Sequence, residues 1–273
     1  LLVDDALAPA LVEAGVLVQI SLDGATAEVH DTIRGPGAFD RAWQAIDRLQ
    51  RAGIGQRLSL NVTLMRGNIG QVEQMVALAA ERGITGGIRF TQLQRTGRAA
   101  ECWQELSPTS EQVAEAYRWL YGQPSPSVPP AAARGKPLVS PGLPGLELAP
   151  PEEGMWCRLG KLLLVDAVGD IYPCSLLTGP QFRLGNVAGT ALTRALESPA
   201  LHELVQLCEA RPDEIDACRR CAWRRFCQAS CPGGAWCTYG TWYATDELCV
   251  LRREIYRATI GRQVVAGGAG CLP

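Results

Sequence analysis

Four thiols crowd one short stretch, Cys218, Cys221, Cys227 and Cys231, in the spacing CX2CX5CX3C, and Cys249 follows downstream. Thiolates are soft ligands suited to zinc or to the iron of iron-sulfur clusters, and a CX2C turn aims two sulfurs at one metal centre without straining the backbone. Upstream, Cys157 and Cys174 stand in a CX11GX4C arrangement. It reads as a strand, a turn at Val168-Gly169-Asp170 and a returning strand, which brings the two sulfurs to the open end of a hairpin. One tetrahedral zinc would leave three of these seven thiols idle, whereas two four-coordinate centres use nearly the whole set. A zinc module is therefore the weaker reading.

The elements that must position these sulfurs follow from periodicity. Residues 4 to 14 predict a helix with Asp4 as cap and Gly15 as stop. Val16 to Leu22 predicts a buried strand with a polar end, Ser21-Leu22-Asp23-Gly24. Phe39, Ala42, Trp43, Ile46 and Leu49 recur at helical spacing until Gly53, and Leu58 to Leu64 alternates with Ser59, Asn61 and Thr63 on one polar face, Asn61 pointing inward. Asn68 and Gln71 look like a capping box for a helix carrying Val72, Met75, Val76 and Ala79. A strand at Ile88 to Leu93 leads to a Gly97-Arg98 turn, and Ser107-Pro108 opens a helix through Tyr121. Strands alternating with helices predict a sheet of parallel strands. Residues 122–153 hold nine of the eighteen prolines and read as a linker. Beyond it, Thr190 to Leu207 predicts two short helices broken at Ser198-Pro199, with His202 at an interior or edge position, and Thr245 to Gly261 predicts the helix that returns Cys249. Cys208, Cys102 and Cys271 read as plain thiols.

Composition narrows the classes. Among 273 residues, 26 basic against 28 acidic side chains leave a net charge of -2, which provides no field for nucleic acid or an anionic membrane. No apolar run approaches the roughly 20 residues that span a bilayer, and no secretory signal opens the chain. All cysteines but Cys102 lie after residue 156, at ligand spacing and in an odd total, which fits a reducing cytoplasm better than a secreted disulfide scaffold.

The seven-cysteine pattern resembles the SPASM domain, the C-terminal extension of many radical S-adenosylmethionine (SAM) enzymes. The segments Val18-Gln19-Ile20-Ser21-Leu22-Asp23-Gly24 and His30-Asp31-Thr32-Ile33-Arg34-Gly35 are similar to the middle of a radical SAM barrel. The resemblance implies an α/β chain: a partial (β/α) radical SAM barrel over 1–121, the proline-rich linker over 122–153, a small cysteine-rich α+β SPASM domain over 154–262 and a tail over 263–273. It implies two auxiliary 4Fe-4S clusters, an inner one on Cys157, Cys174 and Cys231 and an outer one on Cys218, Cys221, Cys227 and Cys249. The fourth inner ligand is then a substrate thiolate on an open iron, a non-cysteine group, or Cys237.

The same resemblance implies that Ser21 touches SAM, that Asp23 organises its loop, and that Arg34 and, more weakly, Asn61 face the cofactor. From the residues alone, Asp23 reads rather as a strand-end cap and His30 rather as part of a surface salt bridge, while Arg34 reads either way. Trp223, Phe226 and Trp236 would shield the clusters; Arg219, Arg220, Arg224 and Arg225 would offset cluster charge, dock an acidic peptide, or form a solvated basic face. Because these residues contain no CX3CX2C motif, SAM and a third 4Fe-4S cluster are expected only in a full-length enzyme, of which this chain reads as a fragment or natural truncation. The implied activity is oxidation or crosslinking of a peptide or small ribosomal (RiPP) precursor by a 5'-deoxyadenosyl radical, with a flavodoxin or ferredoxin as electron donor. Ser175 stands where sulfatase maturases carry aspartate, which counts against that branch. The alternative is a truncated, inactive iron-sulfur or zinc-binding protein.

Overall fold

Alternation builds the first sheet: Leu58, Leu60, Val62 and Leu64 are buried on β2 (Leu58–Leu64), while Ser59, Asn61 and Thr63 between them stay half-exposed. Burying each apolar side chain contributes about 2 kcal/mol. The computed structural model describes residues 3–122, 139–141, 157, 159–245 and 248–257. These form two compact units, Leu1–Leu93 with Cys102–Leu143, and Gln94–Glu101 with Pro144–Pro273.

In the first unit, α1 (Leu7–Glu13) begins where the Asp4 carboxylate accepts from the Ala6 and Leu7 amides. Then come β1 (Val18–Ser21), α2 (Ala27–Arg34), α3 (Ala38–Arg51), β2, α4 (Val72–Glu81) and β3 (Ile88–Gln92). The strand starts later than Val16, and Leu17 is 83% exposed, because pairing with β2 begins only at Val18. Gly86 has to be glycine: a Cβ there would collide with the Leu58 and Gln56 carbonyl oxygens where β3 enters the sheet.

All pairings are parallel, and the spatial order β1-β2-β3-β4 is the chain order, as in a barrel wall rather than a doubly wound sheet. The fourth strand, β4 (Val139–Pro141), comes from the proline-rich stretch. The linker expected over 122–153 is corrected to that extent: a short segment pairs with β3 at the sheet edge, where proline is tolerated. The rest of that stretch lies outside the described residues. Before it, α5 (Arg98–Glu101) groups with the second unit, and α6 (Trp103–Leu106) precedes α7 (Ser110–Tyr121). Thr109, not Ser107-Pro108, caps α7, through a capping box with Gln112.

A buried polar hub lies beyond β1. Asp23 is fully buried, and its carboxylate accepts from the Thr63 amide at 2.7 Å and from Arg34 Nε at 2.5 Å. Its own amide donates to His30 Nδ1 at 3.0 Å. Asn68 is equally buried and is no helix cap: its Oδ1 accepts from the Met65 amide, and its Nδ2 donates to the carbonyls of Asp23 and Thr63. Gln71, its expected capping partner, instead accepts the Ala25 amide. His30 is not a surface residue, since α2 turns it inward and leaves it 1% exposed.

The second unit opens on a small antiparallel sheet of β5 (Leu164–Val165), β6 (Asp170–Tyr172) and β7 (Gly185–Asn186). Asp166 builds the predicted turn by accepting from the Val168 and Asp170 amides, with Gly169 at φ 86°. Asp170 holds the third strand through Asn186 (2.8 Å) and Arg183 (2.6 Å), which keep its carboxyl below the usual range. The helices α8 (Leu192–Leu196), α9 (Pro199–Glu214), α10 (Asp216–Arg219), α11 (Arg224–Cys227) and α12 (Pro232–Tyr239) follow, and a helix covers 249–257. Ser198 caps α9, which runs past Leu207 to Glu214. α9 carries Pro212 inside its last turn. His202 is exposed on α9 rather than interior.

Two outcomes follow from the hub. Replacing Asn68 by leucine strands one amide and two carbonyls, so urea unfolding followed by circular dichroism should show a loss of about 3 kcal/mol; a loss under about 0.5 kcal/mol would contradict the hub. Burial, outweighing the pull of Asp23, holds the His30 pKa below its ordinary value of 6.5. The unfolded histidine therefore binds protons more readily, and its stabilising contribution is complete above about pH 6.5 and lost as pH falls below that. Wild type should lose stability between pH 6.5 and 5, and His30→Asn should flatten that slope; parallel slopes would refute it.

Candidate functional site

The outer cysteines come from three helices and a turn. Cys218 lies on α10, Cys221 in the turn after it, Cys227 at the end of α11 and Cys249 on the 249–257 helix. Successive turn bonds, Cys221 N to Cys218 O (2.9 Å) and Arg224 N to Cys221 O (3.1 Å), fold the chain back on itself. All four line one cavity, together with Trp223, Arg224, Arg252, Arg253 and Tyr256. Trp223 stacks on Tyr256 with centroids 5.1 Å apart, Arg253 hydrogen-bonds Cys221, and Tyr256 hydrogen-bonds Cys227.

Cys157, Cys174 and Cys231 gather separately. Cys157 and Cys174 pack against a buried cluster of Leu159, Leu177, Leu201 and Cys208. Cys231 caps α12 and accepts the Gly234 amide at 3.4 Å. A Cβ on Gly233 would crowd Leu176 Cβ at 2.9 Å, so glycine lets the start of α12 pack against the segment that follows Cys174. The three thiols sense one another, and Cys237, which donates to the Leu176 carbonyl at 3.2 Å, senses Cys174 and Cys231. Phe182, Trp236 and Trp242 pack on the same cluster, with the two tryptophans stacked at 4.6 Å.

Burial pushes the thiols of Cys157 and Cys218 up to about 11 and that of Cys208 up to about 12, and also raises Cys231. Left alone they are protonated at neutral pH; a bound cationic centre reverses this by displacing the protons. Among the described residues no group of three or more histidine, cysteine, aspartate or glutamate side chains is drawn together tightly enough to hold a single ion. The donor set, soft sulfurs spread around apolar and cationic walls, fits a larger iron-sulfur group. Of the basic residues singled out in sequence, Arg224 pairs with Asp213 and Arg219 with Asp216, while Arg220 and Arg225 are exposed. The buried Arg211 and the cavity-lining Arg252 and Arg253 escaped sequence reasoning, having no motif to mark them.

On the sheet, Ser21 pairs in register with Asn61, and both side chains are half-exposed on the face opposite Leu60 and Val62. The row continues to Arg89, which is exposed between the buried Ile88 and Phe90; that alternation was the signal that could have found it. Asp23 is buried beyond this row, where its carboxylate accepts from the Thr63 amide and pairs with Arg34, whose side chain is 39% exposed. Among the described residues no helix is long and apolar enough to cross a membrane.

Residues 1–79 match the radical SAM superfamily, and residues 157–222 match SPASM, an iron-sulfur cluster-binding domain. The chain is similar to the mycofactocin maturase MftC of Mycolicibacterium smegmatis, 33% identical over 238 residues that take in 85% of this chain and 57% of that protein. It is also similar to the AdoMet-dependent heme synthase of Oleidesulfovibrio alaskensis, 26% identical over 255 residues, 88% of this chain and 63% of that protein. The chain thus spans less than two thirds of the length of these relatives. In fold it is similar to native anSMEcpe with bound AdoMet and Cp18Cys peptide, with a TM-score of 0.73 at 16% identity over 98% of this chain and 74% of that one. With one family match in each structural unit and relatives that run through both, the chain belongs to the radical SAM/SPASM family.

Proposed function

We propose that this chain is the C-terminal portion of a radical SAM/SPASM oxidoreductase that matures a peptide or RiPP precursor. The observation that carries the reading is the convergence of Cys218, Cys221, Cys227 and Cys249 on one cavity walled by aromatic and cationic side chains. In this reading that quartet holds the outer 4Fe-4S cluster, and Cys157, Cys174 and Cys231 hold the inner one, beside Cys237. The partial barrel takes in residues 1–121 with β4 added to its edge, and the cluster domain residues 154–262.

When bound, the clusters supply one-electron redox chemistry, and SAM on a further cluster of the whole enzyme supplies hydrogen abstraction from an unactivated carbon. The residues of this chain hold and orient. Ser21 and Asn61 present hydrogen-bonding groups on the sheet's polar face toward SAM, and Asp23 fixes the Ser21–Gly24 loop while steering Arg34. Trp223 and Tyr256 keep water from the outer sulfurs, and Arg252 and Arg253 offset negative charge there. A peptide substrate is supported by the maturase relative and by the similarity to a peptide-bound enzyme. A flavodoxin or ferredoxin would supply electrons, and the ligand-like spacing of the cysteines suits a reducing cytoplasm.

Anaerobic reconstitution tests this reading. The chain should take up about eight irons, four per cluster, and Cys221→Ala should lose about half of them while the inner set stays loaded. One zinc per chain with no iron would overturn it.

A further inference from the structure

The guanidinium of Arg211, on α9, is fully buried, and its charge acts on Cys157 and Cys231 of one thiol set and on Cys218 of the other. Its Nε donates to the Trp242 carbonyl at 2.6 Å, Nη1 to Ser230 at 3.2 Å and Nη2 to Ala244 at 3.0 Å. Ser230 adjoins Cys231 of the inner set and closes a turn that starts at Cys227 of the outer set. Gln228, Ala229 and Ser230 in that turn have φ of 50°, 58° and 64°, three consecutive non-glycine residues in the left-handed region. Such backbone persists only where its surroundings over-determine it.

Those surroundings tie the turn to both sites. Ala229 is buried against Cys218 and Ile215, on the outer side. Trp242 packs on Trp236 and Phe182, over the core that carries Cys157 and Cys174. Ala244 precedes Thr245, which lines the outer cavity near Cys249. A planar fork reaches three carbonyls at once, which a lysine ammonium on a flexible stem does not reproduce.

We propose that Arg211 is the positioning residue shared by both cysteine sets. It clamps the Cys227–Cys231 turn and the Trp242–Ala244 segment in their conformations, and it places one permanent positive charge beside both centres. The charge half of this inference rests on the cluster reading above; the clamp half does not. A fixed cation favours the more negative, reduced form of a nearby cluster, so losing it lowers the reduction potential.

The test compares wild type, Arg211→Lys and Arg211→Met, each as the whole chain. Hydrogen exchange on metal-free protein reads the clamp, and EPR-monitored redox titration of anaerobically reconstituted protein reads the charge. Both variants should exchange the amides of 228–231 at least tenfold faster than wild type. Arg211→Met should lower the potentials of both clusters, and Arg211→Lys should leave them near wild type. Unchanged exchange in Arg211→Lys overturns the clamp even if Arg211→Met fails to fold. A folded, iron-loaded Arg211→Met with unshifted potentials, or with only one shifted, overturns the shared charge. Wild type that takes up no iron defeats the cluster reading, and with it the charge half, while the exchange arm still decides the clamp.

Discussion

A thiolate is costly to bury and useless as a ligand when protonated, and this tension organises the second unit. Cys157, Cys218 and Cys231 are all raised by burial. Positive charge close by is what makes deprotonation affordable in such surroundings. The unit provides some of it permanently, in Arg211, Arg252 and Arg253, and in the proposed reading a bound cluster would supply the rest. The short helices α10 and α11 are too brief to be stable alone, and the long α9 and the 249–257 helix fasten them; in the proposed reading they are ligand-bearing turns.

The first unit faces a different constraint. A parallel sheet buries one face under helices and must find a use for the other, and here that second face carries Ser59, Asn61, Thr63, Arg89 and Thr91 in register with the end of β1. Polar side chains at that position are poor core and good cofactor contacts. Asp23 does not compete for that role. Its carboxylate is used up by Thr63 and Arg34, its amide by His30 and its carbonyl by Asn68, so its contribution is to hold the strand-end loop still.

Patterns with short repeats were legible from residues alone. The CX2CX5CX3C run, the β2 alternation and the apolar stripe of α3 each declare themselves within a few turns of chain, because local spacing determines which face a side chain takes. What was not legible depends on distant partners. Asn68 has the look of a helix cap, but its bonds go to Asp23, Thr63 and Met65. His30 reads as polar surface until Asp23 is seen to occupy its Nδ1. β4 hides among prolines because only the open edge of β3 gives it a reason to be extended. Arg211 reaches from α9 to two loops that it meets only in three dimensions, and no spacing rule points to it.

The central claim is that seven sulfurs scattered over 93 positions, from Cys157 to Cys249, sort into two separate inorganic sites. Crystals of the anaerobically reconstituted chain, measured on both sides of the iron absorption edge, test it directly. The account predicts two anomalous iron centres, one ringed by Cys218, Cys221, Cys227 and Cys249 and the other bounded by Cys157, Cys174 and Cys231. A single centre, or one that draws its cysteines from both sets, would contradict it.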